Sequence, residues 1–210
     1  MKVMIKNIIF DIGEVLVDFI WEEHMRNLGF PEETVQALGS GWVKTPLWDE
    51  LDRGVLSEDE ALGLAKRALP QYSAQIDMFW NNPDGIVRCR PQSAGWLSSL
   101  KNRGYKVYLL SNYPRSLFEA HSEREFSFIP FIDGKVVSSS IGVMKPDRRI
   151  YQTLLDRYSL TAEECLFADD RQVNLDGAAQ LGIRTLLVRN IDDAMADMDA
   201  ILENDRNNAI

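Results

Sequence analysis

The chain has 210 residues, 45% of them hydrophobic, which is enough to bury a substantial core and fits one domain with room for an insertion. A formal net charge of -9 and an isoelectric point near 4.8 exclude a broad cationic face for nucleic acid or an anionic membrane, so any phosphate site must be local. No stretch approaches the roughly 20 apolar residues needed to cross a bilayer.

In chain order, Ile5 to Phe10 is a short apolar run rich in β-branched residues, the pattern of a strand buried on both faces of a parallel sheet. It breaks at Asp11 and Glu14 and has no small-residue cleavage site, so a cytoplasmic protein is expected. From Trp21 to about Asn82 the pattern turns acidic and helical, punctuated by Gly29, Pro31, Gly39, Gly41, Pro46 and Gly54, with no strand. Inside it, Ser57 and Glu60 have the spacing of a capping box before the helical run Ala61 to Leu69.

After Arg90-Pro91 helices and strands alternate: a helix stopped by Gly104, a strand from Tyr105 to Leu110, a helix from Asp147 to Tyr158. A second capping box, Thr161 with Glu164, leads into a strand from Cys165 to Ala168; a helix from Val173 to Leu181 precedes a strand from Arg184 to Val188. Such repeats predict an α/β protein with a doubly wound parallel sheet formed by residues 1–17 and 88–210, and an inserted helical cap over residues 18–87. The polar tail from Glu203 to Ile210 is expected to fray. Cys89 and Cys165 lie far apart and outside any CxxC spacing, so both are expected to be reduced and buried, with neither a disulfide framework nor a zinc site.

Ligands of an open parallel sheet bind where its strands end at their carboxyl termini. Asp11 follows the first strand, Ser111-Asn112 the second and Asp169-Asp170 the third, while Lys145 precedes Pro146 at a helix start. One strand-end aspartate is an ordinary turn residue, and an isolated lysine an ordinary surface one. Their joint placement suits phosphoryl transfer through an aspartyl-phosphate: a carboxylate attacks phosphorus and a hard cation balances the crowded charge. Asp11, Asp169 and Asp170 supply oxygen ligands for Mg2+. Lys145 offsets charge on the nucleophile, and Ser111 donates to phosphoryl oxygens.

Phe10-Asp11-Ile12-Gly13-Glu14-Val15, Leu110-Ser111-Asn112, Met144-Lys145-Pro146-Asp147 and Phe167-Ala168-Asp169-Asp170 with Asn174 resemble, in order, the four motifs of the haloacid-dehalogenase superfamily. The arrangement is most similar to its bacterial sugar-phosphate phosphatases, including the glucose-1-phosphate type. The resemblance implies a Rossmann-like core, a helical cap that excludes water, Asp11 as nucleophile with Lys145, phosphate contacts from Ser111, Asn112 and Arg115, and Mg2+ held by Asp11, the Gly13 carbonyl, Asp169 and Asp170. It implies a small phosphorylated substrate, no nucleic-acid or membrane partner, and a monomer or weak homodimer.

Gly13 departs from the pattern, because most phosphatases of the superfamily carry an acid/base aspartate there. Losing a positioned acid or base costs about 10²–10⁴-fold, so another group must move the proton or the leaving group must be a good one. Glu14 and Asp18 are the neighbours in sequence. Two alternatives follow: a metal-independent 2-haloacid dehalogenase, which the Asp169-Asp170 pair opposes, and a catalytically weak binding or regulatory protein. Arg171 is a second candidate substrate contact, and Asn174 a brace for the metal loop. His24 and His121, both isolated, and Trp42, Trp48 and Trp80 suit packing, with a tryptophan in the pocket wall as the alternative. Acidic faces at Glu22, Glu32 and Asp59 read as solvated.

Overall fold

The computed structural model describes residues 3–207. Strand β1 (Asn7–Phe10) is buried at every position. The chain then leaves the sheet through β2 (Val17–Phe19) into α1 (Trp21–Asn27), α2 (Glu32–Leu38), a π-helical turn at Gly39–Val43, α3 (Pro46–Arg53), α4 (Glu58–Ala68) and α5 (Ser73–Trp80), and β3 (Val87–Cys89) returns antiparallel to β2. The helical character expected here is present. The ribbon of β2 and β3 is not legible in the sequence, since three-residue strands carry no periodicity.

Local chemistry sets the ends of α3. The Thr45 hydroxyl accepts the Leu47 amide, Pro46 fills the first turn, and Gly54 closes the helix in the left-handed region at φ 66°. A Cβ on Gly54 would sit 2.6 Å from Ser139 Cα, so the glycine also permits the helical segment to press on the sheet domain. The Ser57/Glu60 capping box forms at the start of α4. Trp42, Trp48 and Phe79 pack with ring centroids 5.4–6.4 Å apart, the core role expected of the tryptophans.

The second half runs α6 (Gln92–Asn102), β4 (Lys106–Ser111), α7 (Arg115–Arg124), β5 (Gly134–Val137), α8 (Arg148–Tyr158), β6 (Cys165–Asp169), α9 (Gln172–Ala179), β7 (Arg184–Leu187) and α10 (Ile191–Asn207). The strands form one parallel sheet in the order β5-β4-β1-β6-β7, the doubly wound α/β architecture that the sequence predicts.

Three local expectations are corrected. Thr161 and Glu164 bracket a single 3-10 turn without a side-chain cap, because Glu164 directs its carboxylate to Lys6 Nζ at 2.5 Å. Residues 203–207 continue α10 rather than fray: Asp205 is buried and accepts the Ile5 amide at 2.6 Å and Arg184 Nη1 at 2.8 Å. The remainder of the expected frayed tail lies outside the described residues. Both cysteines are free, but only Cys165 is buried; Cys89, on the β3 ribbon, is half-buried.

Candidate active site

The strand order reverses at β1, with β4 and β5 on one side and β6 and β7 on the other, so a crevice opens at the carboxyl ends of the central strands. Asp11 follows β1, Ser111 ends β4, and Asp169 ends β6 with Asp170 beside it. Asp11 Oδ1 accepts the Ser111 hydroxyl and the Ile12 amide, each at 2.7 Å. Lys145 Nζ, shut away from solvent, lies 2.9 Å from Asp11 Oδ2 and 2.7 Å from Asp169 Oδ2. The sheet thus unites residues separated by more than a hundred positions.

Two asparagines hold this cluster in place. Asn112 Oδ1 accepts the Lys145 amide at 2.8 Å and its Nδ2 donates to the Lys145 carbonyl at 3.1 Å. Its side chain therefore positions the lysine, while the residue still borders the cavity beside Ser111. Asn174 Nδ2 donates to both Asp169 oxygens at 3.0 and 3.1 Å, with the Arg171 amide adding a bond at 2.8 Å, so Asn174 is the brace its motif suggested.

The electrostatics of the site are strained. Burial pushes the Asp11 carboxyl up to about 7, with Lys145 pulling down and Asp169 pushing further up. Burial, then Asp169, raises Asp170 as well. Burial works against the Lys145 charge, yet Asp11 and Asp169 hold its pKa above the ordinary lysine value. The carboxylates outnumber the ammonium, and ligand oxygens of Asp11, Asp169 and Asp170 converge within 4.8 Å of one another. This hard-oxygen set, short of positive charge, fits a divalent cation such as Mg2+.

Above the cluster lies a cavity of about 270 Å³, near the lower end of small-molecule sites at roughly 300–1,000 Å³. Gly13, Asp170 and Arg171 line it beside Asp11, and Trp48, Asp49 and Asp52 of α3 and Phe19 of β2 line it from the inserted segment. Trp48, besides packing in the core, also borders this cavity, the alternative to a purely packing role. Arg115 is not among the residues lining this cavity; its Nη2 donates to the Ser139 carbonyl at 3.1 Å and it borders a neighbouring surface depression.

The acids that neighbour Gly13 in sequence are both held by Arg90, although Glu14 also borders the cavity. Glu14 accepts the Phe19 amide at 3.0 Å and pairs with Arg90 at 3.4 Å, and Asp18 accepts Arg90 Nε at 2.7 Å. Asp49 and Asp52 are cavity acids that the sequence did not single out, and of the two Asp52 has a buried carboxyl oxygen without a hydrogen-bond partner among the described residues. Its signal is the four-residue spacing from Trp48, which puts both on one face of α3. The histidines are packing residues: His121 joins the Tyr113 hydroxyl at 2.7 Å and the Pro83 carbonyl at 3.0 Å, and His24 packs on Phe79.

Fold and site together define a hydrolase of the doubly wound α/β type, built on a buried aspartate at the end of its first strand. The profile of the haloacid dehalogenase-like hydrolases matches residues 5–182, and the chain belongs to that family. Among its relatives, a D-ribitol-5-phosphate phosphatase of Bacteroides thetaiotaomicron is 28% identical, covering 95% of this chain and 99% of the relative. An (S)-2-haloacid dehalogenase of Burkholderia cepacia is 30% identical, covering 86% and 81%. A solved family enzyme from Bacteroides thetaiotaomicron, in complex with magnesium and inorganic phosphate, superposes with a TM-score of 0.71 at 22% identity over 88% of this chain and 94% of that one. The expected fold is the observed one. Among the described residues no helix is long and apolar enough to cross a membrane.

Proposed function

We propose that this hydrolase is a Mg2+-dependent phosphatase acting on a small phosphomonoester, a sugar or sugar-alcohol phosphate by preference, through an aspartyl-phosphate on Asp11. The observation that carries the reading is Asp11 itself, held between the Ser111 hydroxyl and Lys145 ammonium while Asp169 and Asp170 converge beside it. The cation would be held by Asp11, Asp170, Asp169 and the Gly13 carbonyl, and it supplies positive charge to the phosphoryl oxygens. The relatives' ribitol-phosphate activity and bound magnesium and phosphate support this choice of substrate class and cofactor.

In the first half-reaction an Asp11 oxygen attacks phosphorus and the bond to the leaving oxygen breaks. Ser111 and the Ile12 amide orient the carboxylate, and Lys145 offsets charge shared by nucleophile and phosphoryl group. Water then attacks the aspartyl-phosphate, releasing phosphate and restoring Asp11. Residues 18–87 act as the cap: the β2–β3 ribbon carries them, and α3 brings Trp48 and Asp52 over the cluster, limiting access of bulk water.

Phosphate release from sugar phosphates, nucleotides and acyl phosphates, with and without Mg2+, tests the reading against Asp11→Asn. Activity that needs both the metal and Asp11 supports it. Halide release from 2-haloacids without metal would instead establish the dehalogenase alternative, and turnover that survives Asp11→Asn would remove Asp11 as nucleophile.

A further inference from the structure

Gly13 leaves the leaving group without the usual proton donor, and the two acids nearest in sequence are held by other partners. Glu14 faces the Phe19 amide and Arg90, and Asp18 faces Arg90. Asp52, which lines the same cavity from α3, differs from both. Its Oδ1 is shut off from bulk solvent and has no hydrogen-bond partner among the described residues, a costly state for a carboxyl group that no ligand meets.

We infer that Asp52 is the general acid and base of the reaction, supplied by α3 in place of the missing aspartate at position 13. This rests on the phosphatase reading above and adds the proton path that it lacks.

The position suits the task. Asp11 and Lys145 come from the sheet domain and Asp52 from α3, all three line one cavity, and in-line displacement at phosphorus directs the leaving oxygen away from Asp11 and the sheet. The groups that bear on Asp52 are Asp49 of its own helix, Asp11 at the end of β1, Lys145 before α8, Arg171 before α9, and the buried Tyr113 hydroxyl, which is bonded to His121. Burial, then Asp49 and Asp11, keep the Asp52 proton on well above the usual carboxylate range, against Lys145 and Arg171. A carboxyl group whose proton is held more tightly than usual is the kind of donor a departing alkoxide requires. Its placement is fixed from behind: the Ser138 hydroxyl donates to the Asp52 carbonyl, and Gly54 permits close contact with Ser139.

The protons balance. As the bond from phosphorus to the leaving oxygen breaks and Asp11 acquires the phosphoryl group, the Asp52 carboxylic acid gives its proton to that oxygen and an alcohol departs. The Asp52 carboxylate then takes a proton from the water that attacks phosphorus. Hydrogen phosphate leaves, Asp11 is again a carboxylate and Asp52 again an acid.

The test compares the parent protein with Asp52→Asn, which preserves shape and neutrality, in saturating Mg2+. Two esters are used: an alkyl sugar phosphate, whose leaving group needs a proton, and 4-nitrophenyl phosphate, whose leaving group does not. Asp52→Asn is expected to lose about 10²–10⁴-fold in kcat on the alkyl ester and less than about tenfold on the aryl ester, with Asp52→Glu recovering part of the alkyl activity. Equal losses on both esters, or none on either, would overturn the inference. A parent that hydrolyses neither ester sinks the phosphatase reading itself, and this role with it. Should Asp52→Asn not fold, a series of aryl phosphates on the parent decides: rates nearly independent of leaving-group basicity support a proton donor, and a steep dependence refutes it.

Discussion

Lys145 Nζ, itself shut away from solvent, lies 2.9 Å from Asp11 Oδ2, and a second bond of 2.7 Å to Asp169 makes the lysine the only cation that touches both carboxylates among the described residues. Removing one member of a buried ion pair leaves the other charge uncompensated, at about 3–5 kcal/mol. Lys145→Met should therefore lower the unfolding free energy by about 3 kcal/mol in chelator and by less in Mg2+, while turnover falls about 10²–10³-fold. Urea unfolding with and without metal checks this. Unchanged stability in chelator would mean that the carboxylates do not depend on the lysine.

The cation should be visible without any substrate. Binding to the folded state alone stabilises by about 2.7 kcal/mol at a hundred times the dissociation constant, so Mg2+ should raise the thermal midpoint of the parent protein. Asp170→Asn is the informative variant, because Asp170 is only half-buried and makes no bond to Lys145, whereas Asp169 is fully enclosed by Lys145, Asn174 and the Arg171 amide. The Mg2+ increment should shrink in Asp170→Asn, with the metal-free midpoint held or raised, and chelation should abolish phosphate release from the parent. An undiminished increment would locate the ion elsewhere.

Glu14 and Asp18 should prove dispensable for proton transfer. Their carboxylates are bound to Arg90, whose Nη1 also donates to the Val15 carbonyl at 3.3 Å, so the three residues tie the β2–β3 ribbon to the loop after β1. Glu14→Gln and Asp18→Asn should each keep kcat within about threefold, against the 10²–10⁴-fold loss of a true acid or base. Arg90→Ala should instead lower stability and raise KM, as a loosened ribbon carries α3 away from the cluster. A hundredfold fall in kcat with Glu14→Gln would return that residue to the mechanism.

The contrast between Asp11 and Asp52 explains what the sequence reveals and what it hides. Asp11, Ser111, Lys145, Asp169 and Asp170 stand at strand ends or a helix start, where a change of hydrophobic pattern marks their place, so the sheet and its cluster are legible in the chain. Asp52 is one of several acids on an amphipathic helix, and only the packing of α3 against Ser138 and Ser139 turns it inward. Asn112 and Arg115 show another limit: the sequence places them at or just after a motif, but not that their side chains bond the Lys145 backbone and the Ser139 carbonyl. Strand β5 begins at Gly134 and Lys135, and strands β2 and β3 have three residues each, so these elements are set by partner strands rather than by any pattern of their own.

Acid stability should depend measurably on Asp133, far from the active site. This carboxylate accepts Lys101 Nζ at 2.6 and 2.7 Å, the Val107 amide at 2.8 Å and Lys106 Nζ at 3.3 Å, tying the end of α6 to β4. Burial pushes its pKa up, but the Lys101 bond and the Val107 amide outweigh burial and leave it below the usual carboxylate value. A pKa depressed on folding means that the folded state holds the proton less tightly than the unfolded chain. The stabilisation is thus fully present above the unfolded value of about 3.9 and disappears as pH falls through the lower folded value. Asp133→Asn should cost about 1 kcal/mol at pH 7, where part of the interaction is screened by solvent, and the gap from the parent should narrow as pH drops below about 4. Urea unfolding of both proteins across that range measures the gap directly; a gap that stays constant with pH would mean that packing of the side chain, not its charge, carries the stabilisation.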